Sequence, residues 1–222
     1  MGTDNLFHKR KAKSVNALQR RAARREAYAK ILVVCEGEKT EPYYFEAARS
    51  HYRLNSVNVE VRGDCDNHPQ GLVNFAKQRF REEQDAGDGF DKVFCVFDQD
   101  GHPSYSAAVK SLNAATPKST YVAITSVPCF EYWLLLHFLY STRPYTDLPG
   151  NSSGHQVLRD LETVFPDYQK GQRAVFSQLI GQLEFAINNA ERALSECQRN
   201  GTDNPSTRVH ELIEFIRNIK QS

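Results

Sequence analysis

The sequence has no Cys-x-x-Cys pair. Its five cysteines, Cys35, Cys65, Cys95, Cys129 and Cys197, form an odd and scattered set, so neither a zinc ribbon nor a dithiol redox centre has a framework here. Cys35 and Cys95 fall inside apolar runs, where a free thiol behaves as a small hydrophobe. No apolar run approaches the roughly 20 residues that span a bilayer. The longest stretch, over 130–138, is short and carries Glu131. The first residues lack the apolar core of a secretory leader, and a myristoylation pattern fails because position 6 is Leu6. A cytoplasmic protein without membrane contact is expected. A Walker A loop is also missing, since Glu-Gly-Glu-Lys-Thr-Glu over 36–41 lacks the required spacing. No Ser–His–Asp or Cys–His unit stands in a supporting context.

What remains is a chain of 222 residues with 40% hydrophobic side chains, enough for one core, or one core with a smaller helical appendage. Its net charge of +1 hides an asymmetry: residues 1–30 hold nine Lys and Arg against two acids. A basic arm on a mildly acidic body points to an anionic partner, nucleic acid first. The same arm also reads as a solvated tail, as an amphipathic docking helix, or as an Arg-rich organellar leader.

Helix formers dominate 15–30, so a helix is expected there. Ile-Leu-Val-Val-Cys over 31–35 then reads as a strand buried on both faces. A turn over 36–41 leads into a helix with Thr40 as its N-cap and Glu41 and Pro42 in its first turn. The alternation continues with a strand over 56–61, a helix from Pro69 to about Gln84, a strand over 92–97, a helix over 104–114 and a strand over 120–124. Strands alternating with helices imply an α/β fold with a largely parallel sheet. A helix over 129–140, apolar nearly all round, should be buried, with Trp133 in the core. After a loop over 141–153 the patterns are helical at 154–163, about 171–197, and 205–219.

Open α/β sheets bind ligands at the carboxyl ends of their strands, where strand order reverses. Two strands here end in acids, one at Glu36 and one at Asp98 with Asp100 two residues on. If the strands are neighbours, the three carboxylates meet at one sheet edge. Hard cations such as Mg²⁺ or Mn²⁺ take one or two protein carboxylates plus phosphate oxygens, and a pair of them clamps a phosphodiester. Each acid alone also reads as a turn former or helix cap. Gly37 permits close approach of a phosphate to the backbone, and Lys39 offers charge there. Glu131, at the start of a very apolar helix, needs a partner: a basic side chain, the helix N-terminus, or the metal site. Asp-Cys-Asp-Asn-His over 64–68 reads as a polar turn before it reads as a metal site. His102 reads first as a solvated loop histidine and second as a proton carrier or phosphate contact, and His137 as a core residue.

Ile-Leu-Val-Val-Cys-Glu-Gly-Glu-Lys-Thr-Glu-Pro-Tyr-Tyr-Phe, then Val-Phe-Asp-Gln-Asp, then Ser-Val-Pro-Cys-Phe-Glu-Tyr-Trp-Leu-Leu-Leu-His-Phe together resemble the RloB-like family of prokaryotic phage-defence and restriction-associated proteins. The likeness covers about 30–140 closely and the remainder loosely. It implies a TOPRIM-like (Rossmann-like) sheet with flanking helices and an α-helical C-terminal extension. It implies Glu36, Asp98 and Asp100 as metal ligands, with Glu41 and Glu131 completing the set, and Lys170 as the candidate for a later lysine used by OLD-type nucleases. It further implies an AAA/ABC-type ATPase as a partner.

The expected organisation is a basic arm over 1–29, an α/β domain over 30–140, and a helical region over 141–222 packed on it. The expected function is Mg²⁺- or Mn²⁺-dependent phosphodiester hydrolysis, with Glu36, Asp98, Asp100 and Glu131 catalytic. Lys39, Arg20, Arg21, Arg24 and Arg25 would hold DNA or RNA. Two rivals use the same scaffold: a non-catalytic nucleic-acid-binding or partner-docking module, and primase-type nucleotidyl transfer.

Overall fold

The computed structural model describes residues 26–65, 68–99 and 101–221. The helix expected over 15–30 falls mostly outside this range. Its last residues, 26–30, are not helical; Lys30 is tied to Asp91 instead, Lys30 N donating to the side-chain Oδ2 and Asp91 N to Lys30 O, both at 2.7 Å.

The uninterrupted apolar run becomes β1 (Ile31–Cys35), buried along its whole length. After it come α1 (Thr40–His51), β2 (Val59–Arg62), α2 (Pro69–Asp85), β3 (Lys92–Asp98), α3 (Tyr105–Asn113) and β4 (Tyr121–Val127). These four strands are parallel in the order β2-β1-β3-β4. The chain thus winds outward from β1 in both directions, and the order reverses between β1 and β3. That is the position where an open parallel sheet offers a ligand crevice. The sheet is Rossmann-like, and among the described residues no helix is long and apolar enough to cross a membrane.

Side chains alternate across the sheet with period two. Ile31, Val33 and Cys35 of β1 pack into one apolar layer with Phe94 and Val96 of β3, while Leu32 and Val34 pack into the other with Val93, Cys95 and Phe97. Helices α2 and α3 cover the second face. The first face is covered by α1 and by the helices after β4: α4 (Glu131–Leu135), α5 (Ser153–Val164), α6 (Val175–Leu179), α7 (Leu183–Asn200) and α8 (Val209–Asn218).

Several elements differ from the sequence pattern. The strand expected over 56–61 begins only at Val59, and the helix expected over about 171–197 starts at Val175 and is broken by a 3-10 turn at Ile180–Gln182 between α6 and α7. The buried helix expected over 129–140 is regular only through Leu135. Beyond it the backbone tightens, with His137 N and Phe138 N bonding three residues back, and Asn189 Nδ2 takes the Leu136 carbonyl. Its burial is as expected: Tyr132, Trp133, Leu134, Leu135 and Leu136 are fully enclosed, and Trp133 Nε1 donates to the buried Tyr44 hydroxyl at 2.9 Å. Within 205–219 a two-residue strand, β5 (Ser206–Thr207), precedes the helix and pairs antiparallel with β4. Hydroxyl contact between Ser126 and Thr207 at 3.1 Å accompanies that pairing. A two-residue strand leaves no periodicity to read.

Candidate active site

Backbone connectivity places the acids before any side chain is considered. β1 and β3 are hydrogen-bonded neighbours, with Cys35 opposite Val96, so Glu36 and Asp98 emerge together at the carboxyl edge of the sheet. Glu36 Oε2 accepts from the Asp98 backbone N–H at 3.1 Å. Asp98 shares the parity of Phe94 and Val96, which sends its side chain toward the α4 face. There Asp98 Oδ2 accepts from Phe130 N at 3.0 Å, just ahead of α4.

The turn after β1 brings the third acid. A Cβ on Gly37 would lie 2.2 Å from Glu41 Oε2, so the space that glycine leaves is taken by the Glu41 carboxylate rather than held open for a phosphate. Gly63 is pressed in similarly, with Pro42 Cγ and the Gly37 carbonyl at 2.3 and 2.8 Å from its missing Cβ. Thr40 is not the N-cap: the helix begins at Thr40 itself with no side-chain cap. Its hydroxyl instead accepts from Gly171 N at 3.0 Å, which ties the loop between α5 and α6 across the turn.

That loop supplies partners for Glu131, which is 3% exposed. Tyr168 donates its hydroxyl to Glu131 Oε1 at 3.1 Å, and Lys170 Nζ lies 3.4 Å from the same oxygen. A cleft of about 520 Å³ opens above these groups, lined by the 36–41 turn, Asp98, His102, Lys170 and Gly171. Lys39 and Lys170 thus share the cleft with the carboxylates of Glu36, Glu41 and Asp98.

Burial and neighbouring negative charge raise two of the acids, Glu41 and Asp98. Burial is the main force on Glu41, lifting it from 4.5 to about 7, with the charges of Glu131 and Glu36 adding and Lys170 opposing. Asp98 is held well above the usual carboxylate range by burial and by Glu41 and Glu131, against the hydrogen bond from Phe130. Glu131 in turn raises Lys170 above an ordinary lysine.

This donor set fits a hard divalent cation: the atoms are oxygens, Glu41 and Glu131 are buried and Glu36 and Asp98 half-buried, and a positive charge would relieve their repulsion. Glu36 and Asp98 would hold it, with Glu41 and Glu131 alongside. Among the described residues, no three His, Cys, Asp or Glu side chains are disposed to enclose an ion by themselves. A cation that keeps waters and takes phosphate oxygens needs fewer protein ligands than that.

Not every expected residue gathers here. Asp100 lies outside the described residues, as do Arg20, Arg21, Arg24 and Arg25. The described chain enters at Glu26, whose N–H bonds Asn58 Oδ1 ahead of β2; this is the amino edge of the sheet, opposite the carboxylates. Asp64 pairs with Arg62, Nε to Oδ1 at 2.7 Å, which answers the 64–68 motif with an ion pair; Asp66 and Asn67 are not described. His137 is a core residue donating from Nδ1 to the Trp133 carbonyl. Sequence reasoning missed Tyr168, because nothing in its surroundings marks a tyrosine that meets a glutamate 37 residues earlier.

Gly37→Ala should fold, since the obstructing atoms end a flexible side chain, but should weaken Mn²⁺ affinity about 10–100-fold by displacing Glu41; unchanged affinity in calorimetry would contradict the placement of Glu41. A second expectation concerns pH in the metal-free protein. Between pH 4.5 and about 7 the folded chain keeps a proton on Glu41 that the unfolded chain has released. Stability present below that window is therefore lost as pH rises through it, by about 3 kcal/mol, and Asp98 acts in the same direction. Urea unfolding in chelator across this range should show the decline, and Glu41→Gln should lessen it, leaving the part due to Asp98.

A family model described as RloB-like protein matches residues 31–216. No curated protein and no solved structure matches the chain.

Proposed function

The chain belongs to the RloB-like family, and we propose that it is a divalent-metal-dependent nuclease that hydrolyses phosphodiester bonds at the carboxyl edge of its sheet. The observation that carries this reading is the convergence of Glu36 and Asp98 at the strand-order reversal, joined by a hydrogen bond at 3.1 Å, beneath a cleft rimmed by Lys39 and Lys170. When bound, Mg²⁺ or Mn²⁺ would polarise the phosphodiester and acidify a water. Glu36 and Asp98 would hold the ion, with Glu41 and Glu131 alongside; Asp100, two residues beyond Asp98 in the sequence, is proposed with them from the motif alone. Lys39 and Lys170 orient the phosphate by its non-bridging oxygens. Tyr168 and Lys170 keep Glu131 fixed, and the buried segment beneath it, from Phe130 to Leu136, keeps water from entering below.

The motifs shared with the family also support a role as effector of a prokaryotic antiphage system governed by an AAA/ABC-type ATPase. Single- and double-stranded DNA and RNA incubated with Mn²⁺, with and without such a partner, test the activity. Cleavage by the wild type that is lost in Glu36→Gln is expected; cleavage retained in that variant would overturn the assignment. One observation favours a second reading, a non-catalytic module binding nucleic acid or a partner: the described acids do not by themselves enclose an ion. That module would keep its biological activity in an Asp98→Ala, Asp100→Ala double variant.

A further inference from the structure

The loop between α5 and α6 is fastened to the α1 side of the cleft at several points. Tyr168 and Lys170 meet Glu131. Gly171 N bonds the Thr40 hydroxyl at 3.0 Å. Gly171 has φ +79°, which suits glycine, and a Cβ on it would lie 3.3 Å from Lys39 Cβ. The loop backbone therefore runs against the Lys39 stem. Two residues on, the Arg173 guanidinium lies over the Tyr43 ring, 3.9 Å from its centroid. Tyr43 follows Lys39 by one helical turn, its N–H bonding the Lys39 carbonyl at 2.9 Å. Lys39 and Gly171 line the carboxylate cleft, so a continuous run of contacts ties Arg173 to it.

Four other cations of the chain, Lys30, Arg62, Arg79 and Arg143, also lie over aromatic rings, and each of them pairs with a carboxylate as well. Arg173 is exposed and, among the described residues, pairs with none. Stacking engages the flat face of a guanidinium and fixes its plane, while the N–H donors point outward within that plane. Tyr43 thus orients the Arg173 fork and leaves its donors to an anion. A planar fork of this kind takes two oxygens of one phosphate at once.

Resting on the nuclease reading, we propose that Arg173 is a substrate-binding residue that grips a phosphate flanking the one in the cleft, with Tyr43 holding its guanidinium in place. The strand passes over Gly171 along α1, with Lys39 and Lys170 at the reacting phosphate and Arg173 beyond them. The substrate is then a polynucleotide that continues past the cleft on the α1 side, rather than a mononucleotide or a single phosphodiester.

The probes are fluorescent oligonucleotides, single- and double-stranded, as DNA and as RNA. Binding is followed by anisotropy in Ca²⁺ from about 50 to about 200 mM salt, with strand integrity checked on a gel. Arg173→Gln should lose about 5- to 10-fold of affinity near 0.1 M salt, and the slope of log affinity against log salt should become shallower by about 0.7–0.9, the share of one phosphate contact. Its Mn²⁺ affinity in calorimetry should match the wild type. Tyr43→Leu should weaken strand binding in the wild type and add nothing in the Arg173→Gln background. Arg192→Gln removes an equal charge from over Tyr140 on α7, outside the cleft, and should change neither affinity nor slope. An unchanged slope in Arg173→Gln would overturn the contact and leave the nuclease reading intact, as would a loss matched by Arg192→Gln or a loss of Mn²⁺ affinity. Additive effects of Tyr43→Leu and Arg173→Gln would overturn the role given to Tyr43. Failure of the wild type to bind any strand would overturn both the contact and the nuclease reading.

Discussion

Asp98→Asn is expected to lower phosphodiester cleavage about 10²–10³-fold or more, and at the same time to raise the melting temperature of the metal-free protein. The two effects share one cause. Asp98 is half-buried beside Glu41, Glu131 and Glu36, and its carboxyl is pushed well above the ordinary range by desolvation and those charges, so holding it charged costs folding free energy unless a cation is present. Asparagine retains an oxygen for the Phe130 N–H, which lies 3.0 Å from the native carboxylate, and carries no charge to be repelled. Each kcal/mol of relieved repulsion would appear as about 2–4 °C in a domain of this size. A variant that loses both cleavage and stability would show that Asp98 acts through structure rather than through charge.

Lys30→Met should destabilise the fold by about 3–5 kcal/mol, the usual cost of stripping one partner from a buried ion pair. Lys30 is 3% exposed, and its Nζ meets Glu83 Oε2 at 2.6 Å, Asp88 Oδ2 at 2.8 Å and the Asp88 carbonyl at 2.6 Å. Arg79 also binds Glu83 at 2.8 Å, so Glu83 keeps a cation when Lys30 is lost. The residue precedes β1 at the amino edge of the sheet, remote from the cleft. Urea unfolding should therefore report the deficit while Mn²⁺ affinity of the folded variant stays unchanged. Combining Lys30→Met with Asp88→Asn should restore part of the stability; no recovery would argue against the ion pair as the source.

The parts of the fold legible in the sequence are those with sustained local patterns. Ile31–Cys35 and Lys92–Asp98 announce buried strands by unbroken apolar runs, and acids at their ends mark the sheet edge. Whether those ends meet depends on strand order, which no local pattern carries; the pairing of Cys35 with Val96 decides it. Gly37 is readable as special, but its reason is not. The void it leaves is filled by a side chain four positions on, whereas a backbone turn or phosphate contact explains such a glycine equally well from sequence. Thr40 looks like a cap and serves instead as an anchor for Gly171, 131 residues away. Tyr168, Lys170 and the Arg173–Tyr43 contact depend on a loop folding back over the edge, and long-range contacts of that kind leave no periodic trace. Ser206–Thr207 is too short to alternate.

The central question is whether the carboxylates at the β1–β3 edge hold a divalent ion. Mn²⁺ titration by calorimetry, comparing the wild type with Glu36→Gln and Asp98→Asn, measures this before any substrate or partner is identified. Binding by the wild type that disappears in both variants is the predicted result. Binding of equal strength in all three proteins would place the ion elsewhere and contradict the carboxylate site.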